Sequence, residues 1–512
     1  MNPTLPLCAA GLTVAVLAAP TSAQWSTDPA SNLVIGGTAA TNEQPKIAPT
    51  ADGGCYISWF SGAGYDVRLQ RLDADGVAQW ADNGILIADR SFSSTQDYDL
   101  ESDTTGNAVL AFRDDRFGGT RITGQMIAPD GSAMWGADGV QFGDGGGFVA
   151  APKIAAATDG SVFIGWTRDS GTKIQRLDAA GNVLWLSPTE LPNPEPTQIM
   201  SDMNASADGS VIVASVCYST FSGPKHLYAQ RVDGDGNAVW PDWTSVLVNG
   251  SLQFGNFPTF VSDGAGGAVF SWYTTSGALQ SWVQRVNVDG TALFAANGVP
   301  VSTMPRERVS PHASFDVSTD EIYVFWQEQQ GLSEYAIFGQ KIDGKGSRLW
   351  TDAGVAVTPF GTTFVTSARS VFGGCGATVF FDEELSFGND RIHGVSLDSD
   401  GNEVWSPGLV TVASASTGKS RLTAIAAANG GSLVAWVDDD GNQDVRAQRV
   451  NLDGTLGPPP LDGDVTGDGV VDVSDLVEVI VNWGPCCGCA ADVNADGTVD
   501  VTDLVEVIVN WS

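Results

Sequence analysis

Apolar residues between positions 24 and 456 come in short runs separated by Gly, Asp and Asn, a pattern of brief strands rather than helices. The first unit shows the order: Pro45-Lys-Ile-Ala48, then Cys55-Tyr-Ile-Ser-Trp59 behind the turn Asp52-Gly-Gly54, then Asp66 to Leu72, then Gly84-Ile-Leu-Ile-Ala88. Asp-Gly pairs at Asp75-Gly76, Asp235-Gly236, Asp289-Gly290 and Asp400-Gly401 suit the positive φ of tight hairpins. Each unit is therefore predicted to be four antiparallel strands.

The unit repeats. Aligned on Gln70, its copies fall at Gln125, Gln175, Gln230, Gln284, Gln340, Val395 (where the Gln is replaced) and Gln448, eight in all at steps of 50 to 56 residues. An aromatic closes the second run in most units (Trp59, Phe112, Trp166, Trp272, Trp326, Phe381, Trp436), and another follows the hairpin (Trp80, Trp135, Trp185, Trp240, Phe294, Trp350, Trp405). Rings at fixed positions fill wedges between neighbouring sheets, so packing is expected of them rather than a carbohydrate-binding stripe. The last unit breaks off at Gly457-Pro-Pro-Pro460, before its hairpin aromatic and fourth strand. Both are found at the other end, where Trp25 and Asn32-Leu-Val-Ile-Gly36 match Trp80 and Asn83-Gly-Ile-Leu-Ile87. The expected fold is all-β, an eight-bladed β-propeller closed by the N-terminal strand, with an open solenoid as the alternative. The repeat, an aromatic, an acidic loop, Gln-Arg-Val-Asp, a turn Gly and Trp, resembles propeller-like repeats of secreted bacterial proteins over residues 25–456. That resemblance implies a fold and no activity.

Composition narrows the partners. With 60 acidic and 25 basic residues the formal charge is −35, which repels phosphate backbones and anionic lipid and favours cations. Nucleic acid is not expected as a partner. The apolar run Leu7 to Ala19, followed by Pro20-Thr-Ser-Ala23, reads as a signal peptide over 1–23, after which no membrane span is expected. Export permits disulfides. Cys55, Cys217 and Cys375 sit in or beside apolar strand runs and are expected to be small core residues.

Chemistry within the repeat is sparse. The acidic segments Arg113-Asp-Asp-Arg116, Glu328, Asp382-Glu-Glu384 and Asp438-Asp-Asp440 supply carboxylates of the kind glycosidases pair, but their equivalent places in successive units predict solvated turns. The turn Asp73-Ala-Asp-Gly76 lacks the spacing of a sialidase Asp-box, and His226, His312 and His393 have no metal-ligand spacing.

Beyond the prolines a second repeat begins. Asp464-Val-Thr-Gly-Asp-Gly-Val-Val-Asp-Val-Ser-Asp475 returns as Asp492-Val-Asn-Ala-Asp-Gly-Thr-Val-Asp-Val-Thr-Asp503, each followed by Leu-Val-Glu-Val-Ile-Val-Asn-Trp, at an offset of 28. The twelve-residue loops place oxygen donors at positions 1, 3 and 5 (Asp464, Thr466, Asp468; Asp492, Asn494, Asp496), a backbone carbonyl at 7 (Val470; Thr498), and Asp at 9 and 12 (Asp472, Asp475; Asp500, Asp503). Gly469 and Gly497 allow the sharp turn at position 6. Such a cage suits Ca2+, so two calcium sites and metal-coupled folding are expected. The helices Leu476 to Trp483 and Leu504 to Trp511 are short, and their Leu, Val, Ile and Trp faces are expected to pack on each other.

Paired loops with a terminal Asp, each followed by one short helix, resemble a type I dockerin over residues 463–512. The resemblance implies calcium-dependent folding and docking onto a cohesin-like domain, often placing secreted proteins on a polysaccharide-degrading assembly or cell surface. Positions 10 and 11, often Ser-Thr in that family, are Val473-Ser474 and Val501-Thr502 here. Between the helices, Cys486, Cys487 and Cys489 allow one local disulfide with a thiol left over, or a cross-link to the propeller.

The domain reading is thus a signal peptide at 1–23, the propeller at 24–456, a Pro-rich linker at 457–462 and the dockerin-like module at 463–512. Two functions follow. One is a secreted, non-catalytic calcium-binding protein whose propeller presents a ligand surface, extracellular polysaccharide included, and whose tail tethers it. The other is an extracellular glycan-active hydrolase working at the propeller mouth, which would show polar mouth residues that break the repeat.

Overall fold

The structure, a computed structural model, describes residues 24–511 except 38–40, 92–97, 276, 374–375, 487–488 and 495–496. The signal peptide expected over 1–23 and the residues Cys375, Cys487 and Asp496 therefore lie outside the described residues.

Eight four-stranded antiparallel sheets follow one another along the chain. Blade 1 runs Asn42–Pro49, Cys55–Ser61, Asp66–Leu72 and Ile85–Ala88, the four runs expected from the hydrophobic pattern. Blade 8 takes Gly418–Ala426, Ser432–Asp439 and Asp444–Val450 from the end of the array and Leu33–Gly36 from its start, with Leu33 opposite Ala447. First strands of successive blades pack on one another around the ring, that of blade 8 against that of blade 1 included. The array is an eight-bladed propeller, closed by the N-terminal strand.

Each wedge between blades has its own apolar core. Trp25, Ile57, Trp59, Leu433 and Val445 fill the closing wedge, and equivalent clusters fill the other seven. The aromatics do more than pack. The indole N–H of Trp80 donates to Pro129 O (3.2 Å) on the next blade, Trp135 to Ala179 O (3.1 Å), Trp240 to Val288 O (2.9 Å) and Trp405 to Leu452 O (2.7 Å). Trp25 completes the circle by donating to Ala74 O at 2.8 Å. The repeated Gln stitches the hairpin to the third strand: Gln125 donates to Gly136 O (2.7 Å) and accepts from Met126 N (3.0 Å) and Trp135 N (3.3 Å). In blade 8, where the hairpin comes from the other terminus, Gln448 donates to Ser26 O (2.8 Å) and accepts from Asn32 Nδ2 (3.0 Å).

The strands around the axis carry the irregularities. Bulges shift their register in blades 1, 3, 4, 6, 7 and 8. At five of them a residue other than Gly takes positive φ: Gln44, Ala151, Ser310, Ser367 and Arg421, between 49° and 59°. Each such residue costs about 1 kcal/mol or more, so the surrounding sheets must impose it. Blade 5 departs from the pattern, because its first strand is reduced to Phe260–Ser262 and Gln253 to Thr259 run outside any strand.

Candidate metal centre and docking face

Two nine-residue helices, α1 (Val473–Val481) and α2 (Val501–Val509), follow the two Asp-rich loops. The loop itself starts each helix. Asp472 and Asp500, position 9, are N-caps whose carboxylates accept from Ser474 N and Thr502 N at 2.7 Å. Asp475 and Asp503, position 12, accept in return from Asp472 N and Asp500 N at 2.8 Å, which makes each pair a capping box.

The other described carboxylates of the loops are held by backbone N–H groups. Asp464 Oδ1 accepts from Gly467 N (2.8 Å) and Asp468 N (3.1 Å), and its Oδ2 from Gly469 N (2.8 Å), so loop one is wound around this carboxylate. Asp475 Oδ1 reaches across to Thr466 N (2.9 Å) and Thr466 Oγ1 (3.1 Å), bringing positions 3 and 12 together. Burial by itself would raise the Asp475 pKa, but the N–H groups of Asp472 and Thr466 outweigh it and hold the carboxyl below its ordinary range. Asp468 Oδ1 takes Val470 N (2.9 Å). Loop two repeats the scheme, with Asp492 accepting from Gly497 N (2.8 Å) and Asp503 from Asn494 N (3.2 Å). Gly469 (φ 85°) and Gly497 (φ 88°) make the sharp turn at position 6. Thr498 is paired opposite Pro485 in a two-residue strand.

Among the described residues no three acidic, His or Cys side chains converge on one point; these carboxylates are turned onto backbone N–H groups. Their surroundings nevertheless fit a hard cation. Asp464, Asp475, Asp492 and Asp503 are buried, and residues 461–512 hold eleven Asp and Glu but no Lys, Arg or His. Nothing in the segment neutralises them, and an all-oxygen donor set is what Ca2+ takes.

The link between the helices is braced by a Cys486–Cys489 disulfide, the local pairing among the alternatives open in the sequence. Cys486 N donates to Gly497 O at 3.0 Å, fastening the link to loop two. The expectation that the helical faces pack on each other holds only in part. Val479 and Val507 are fully buried between them, with Leu476 and Leu504 alongside. Val477, Ile480, Val481 and Trp483, and their counterparts Val505, Ile508, Val509 and Trp511, stay 48–72% exposed. Each helix is apolar over a face wider than the one stripe it can turn toward its neighbour, with Ser474, Asp475, Glu478 and Asn482 on the other side of α1. The rest leaves exposed apolar side chains together on the helices, the kind of surface that marks an interaction site.

The acidic positions of the propeller correct the sequence reading more sharply. Asp114, Glu328, Asp382 and Asp438 are buried rather than solvated, because the second strands run on past their aromatic. Three are paired: Asp114 with Arg116 (2.7 Å), Glu328 with Arg308 (3.2 Å) and Asp438 with Lys419 (3.7 Å). Asp382 has no ion pair within 4 Å among the described residues; Ser367 hydrogen-bonds to its carboxyl, but its Oδ1 has no hydrogen-bond partner. Burial pushes its pKa up to about 7. It lines a cavity of about 390 Å³ at the mouth with Glu43, Glu384, Asp390, Lys419 and Arg421. His226 pairs with Glu195 and His393 with Glu383, both structural, and Cys55 and Cys217 are buried free thiols, as expected of core residues.

Residues 462–510 match the family model described as the dockerin type I domain. The tail is a type I dockerin domain. Dockerins of this type typically bind calcium and imply a cohesin partner. The match covers the dockerin alone, and no curated protein matches the chain. Among solved structures, prolyl oligopeptidase B from Galerina marginata is 10% identical over 78% of this chain and 56% of that one, with a TM-score of 0.43. A puromycin hydrolase is 14% identical over 81% and 61% (TM-score 0.40), and the lectin BP39L from Burkholderia pseudomallei 12% over 72% and 98% (TM-score 0.47). The chain thus spans little more than half the length of the oligopeptidase, and likeness at this level carries no activity across.

Proposed function

We propose that the protein is secreted, that its dockerin binds two Ca2+ through the two loops, and that the dockerin docks onto a cohesin-type partner to tether the propeller to an extracellular assembly, polysaccharide-degrading ones included. The division proposed is a signal peptide at 1–23, propeller at 24–456, linker at 457–462 and dockerin at 463–512. Loop one would hold its ion with Asp464, Thr466, Asp468, the Val470 carbonyl, Asp472 and Asp475; loop two with Asp492, Asn494, Asp496, the Thr498 carbonyl, Asp500 and Asp503. The ion supplies charge compensation and a fixed loop shape, no chemistry. The observation that carries the reading is the joining of buried, cation-free carboxylates to an uncovered apolar face on the helices they start. Among the described residues no helix is long and apolar enough to cross a membrane. Calorimetric titration of the full-length protein should find two calcium sites, one lost in Asp475→Ala and both in Asp475→Ala with Asp503→Ala. Calcium-dependent capture by a type I cohesin, lost in Ile480→Asp with Ile508→Asp, would support docking; capture undiminished by chelator would refute it.

Asp382 favours a second reading, a glycan-active hydrolase. A carboxyl that keeps its proton near neutral pH is what a general acid needs, and this one lines a cavity. Loss of hydrolysis in Asp382→Asn on a polysaccharide panel would establish it, and absence of hydrolysis by the unaltered protein would remove it.

A further inference from the structure

The cavity at the centre of the ring is chemically unlike the rest of the molecule. In a chain of 60 acidic and 25 basic residues, the described residues lining this space of about 640 Å³ include Lys46, His312, Arg369 and Arg421 and no Asp or Glu. Its size falls within the ~300–1,000 Å³ usual for small-molecule sites. The fold puts these groups there deliberately. Lys46, His312 and Arg369 occupy one equivalent position, the first paired residue after the bulge in the axial strands of blades 1, 6 and 7, and Arg421 sits on the bulge of blade 8.

Their hydrogen bonding shows what they offer. His312 Nδ1 accepts from Ser370 N at 3.1 Å, so the ring hydrogen is on Nε2 and available for donation. Burial and the neighbouring Arg369 pull the His312 pKa down to about 3, which keeps it a neutral donor. Arg369 has no ion pair within 4 Å among the described residues, although the Asp382 carboxylate is near enough to favour its charge, and it donates to Ala368 O at 2.9 Å. Lys46 is held by Asp99 (3.1 Å) and Arg421 by Glu43 (3.8 Å), carboxylates that do not line the cavity. This side of the cavity is therefore rich in donors and basic groups, and its Arg369 guanidinium has no carboxylate within 4 Å among the described residues.

Blade 5 supplies the opposite wall. Where other blades continue their axial strand, Gln253 to Thr259 swing out as a loop, and Gln253, Phe254, Asn256 and Phe257 line the cavity with Tyr273. Aromatic faces beside amides are suited to a sugar ring and its hydroxyls.

We infer that this cavity binds a carboxylated sugar, the carboxylate on Arg369 and His312 Nε2 and the ring against the blade 5 loop. This goes beyond the dockerin reading and gives the propeller's ligand a chemical class. The test is calorimetry on the full-length protein in calcium with digalacturonate, cellobiose and a tri-glutamate peptide as probes. Digalacturonate should bind at least about tenfold more tightly than cellobiose, with affinity falling as salt rises, and lose roughly tenfold in Arg369→Gln, the scale of one charge-assisted hydrogen bond. Phe254→Ala, at an exposed ring of the loop outside the sheets, should weaken digalacturonate binding with little change in the melting profile, so the proposal does not hang on one core substitution. Equal binding of cellobiose, preference for the peptide, or no binding of digalacturonate overturns it. Asp475→Ala with Asp503→Ala should leave digalacturonate binding intact, which separates failure of this site from failure of the calcium reading.

Discussion

Asp382 holds a carboxyl where the equivalent positions of blades 3 and 6 hold groups that bond to the next blade: Thr167 accepts from Met200 N (2.9 Å) and Gln327 donates to Val365 O (2.5 Å). Its burial has a consequence for stability with a definite sign. The folded-state pKa is raised from 3.8 to about 7, so the folded protein binds the extra proton between those values. Stability from this group is present below about pH 4 and is lost as pH climbs toward 7. Asp382→Asn should therefore be the more stable protein at pH 8, by on the order of 2–4 kcal/mol, and about equal to the parent at pH 4. Urea unfolding at the two pH values decides it; equal effects at both would show that the carboxyl is not held protonated. This residue was visible in the sequence only as one member of an acidic family. What set it apart, the lack of an ion pair among the described residues, depends on cross-strand neighbours such as Arg308 for Glu328, twenty residues away and invisible to a repeat alignment.

The hairpin turn and the Trp of the preceding blade form one joint. Gly290 takes φ +88°, and a Cβ there would stand 2.6 Å from the Trp240 ring; Gly76 lies in the same way under Trp25. The Asp-Gly turns and the Trp positions were both legible in sequence, but as separate signals. Their contact across blades was not, since nothing in a repeat says which neighbour a ring will cover. The joint predicts unequal costs for one chemical change. Gly290→Ala should lose both the left-handed turn and the ring contact, about 2 kcal/mol or more, whereas Gly106→Ala, also at positive φ (+87°) but with nothing within 4 Å, should lose only about 1 kcal/mol. Denaturant midpoints of the two variants are the check, and equal losses would mean the Trp contact contributes nothing. At the same scale the apolar composition of the dockerin helices suggested mutual packing throughout, and the structure uses Val479 and Val507 for it, with Leu476 and Leu504 alongside, and leaves Val477, Ile480, Val481 and Trp483 and their counterparts exposed.

On the scale of the whole molecule, ring closure and the calcium loops are separate sources of stability, and the chain was most legible here. The eightfold period and the split last unit dictated the circular order, while the doubled loop identified the tail; the ligand cavity stayed hidden because it depends on bulges and on the departure of blade 5. Closure depends on residues 24–36, whose removal would strip Trp25 from Ala74 and expose the edge of Asp444–Val450. On the proposed reading the dockerin is stabilised by Ca2+, each site adding about 2.7 kcal/mol when free calcium is 100 times its Kd. Calorimetry of the intact chain should accordingly show two transitions. Chelator should abolish or lower the dockerin's alone, and deletion of 24–36 should lower the propeller's alone and bring concentration-dependent association through the bared strand. A single transition moved by both treatments would mean that the dockerin and propeller unfold as one unit, and the tail could not then act as an independently folding anchor.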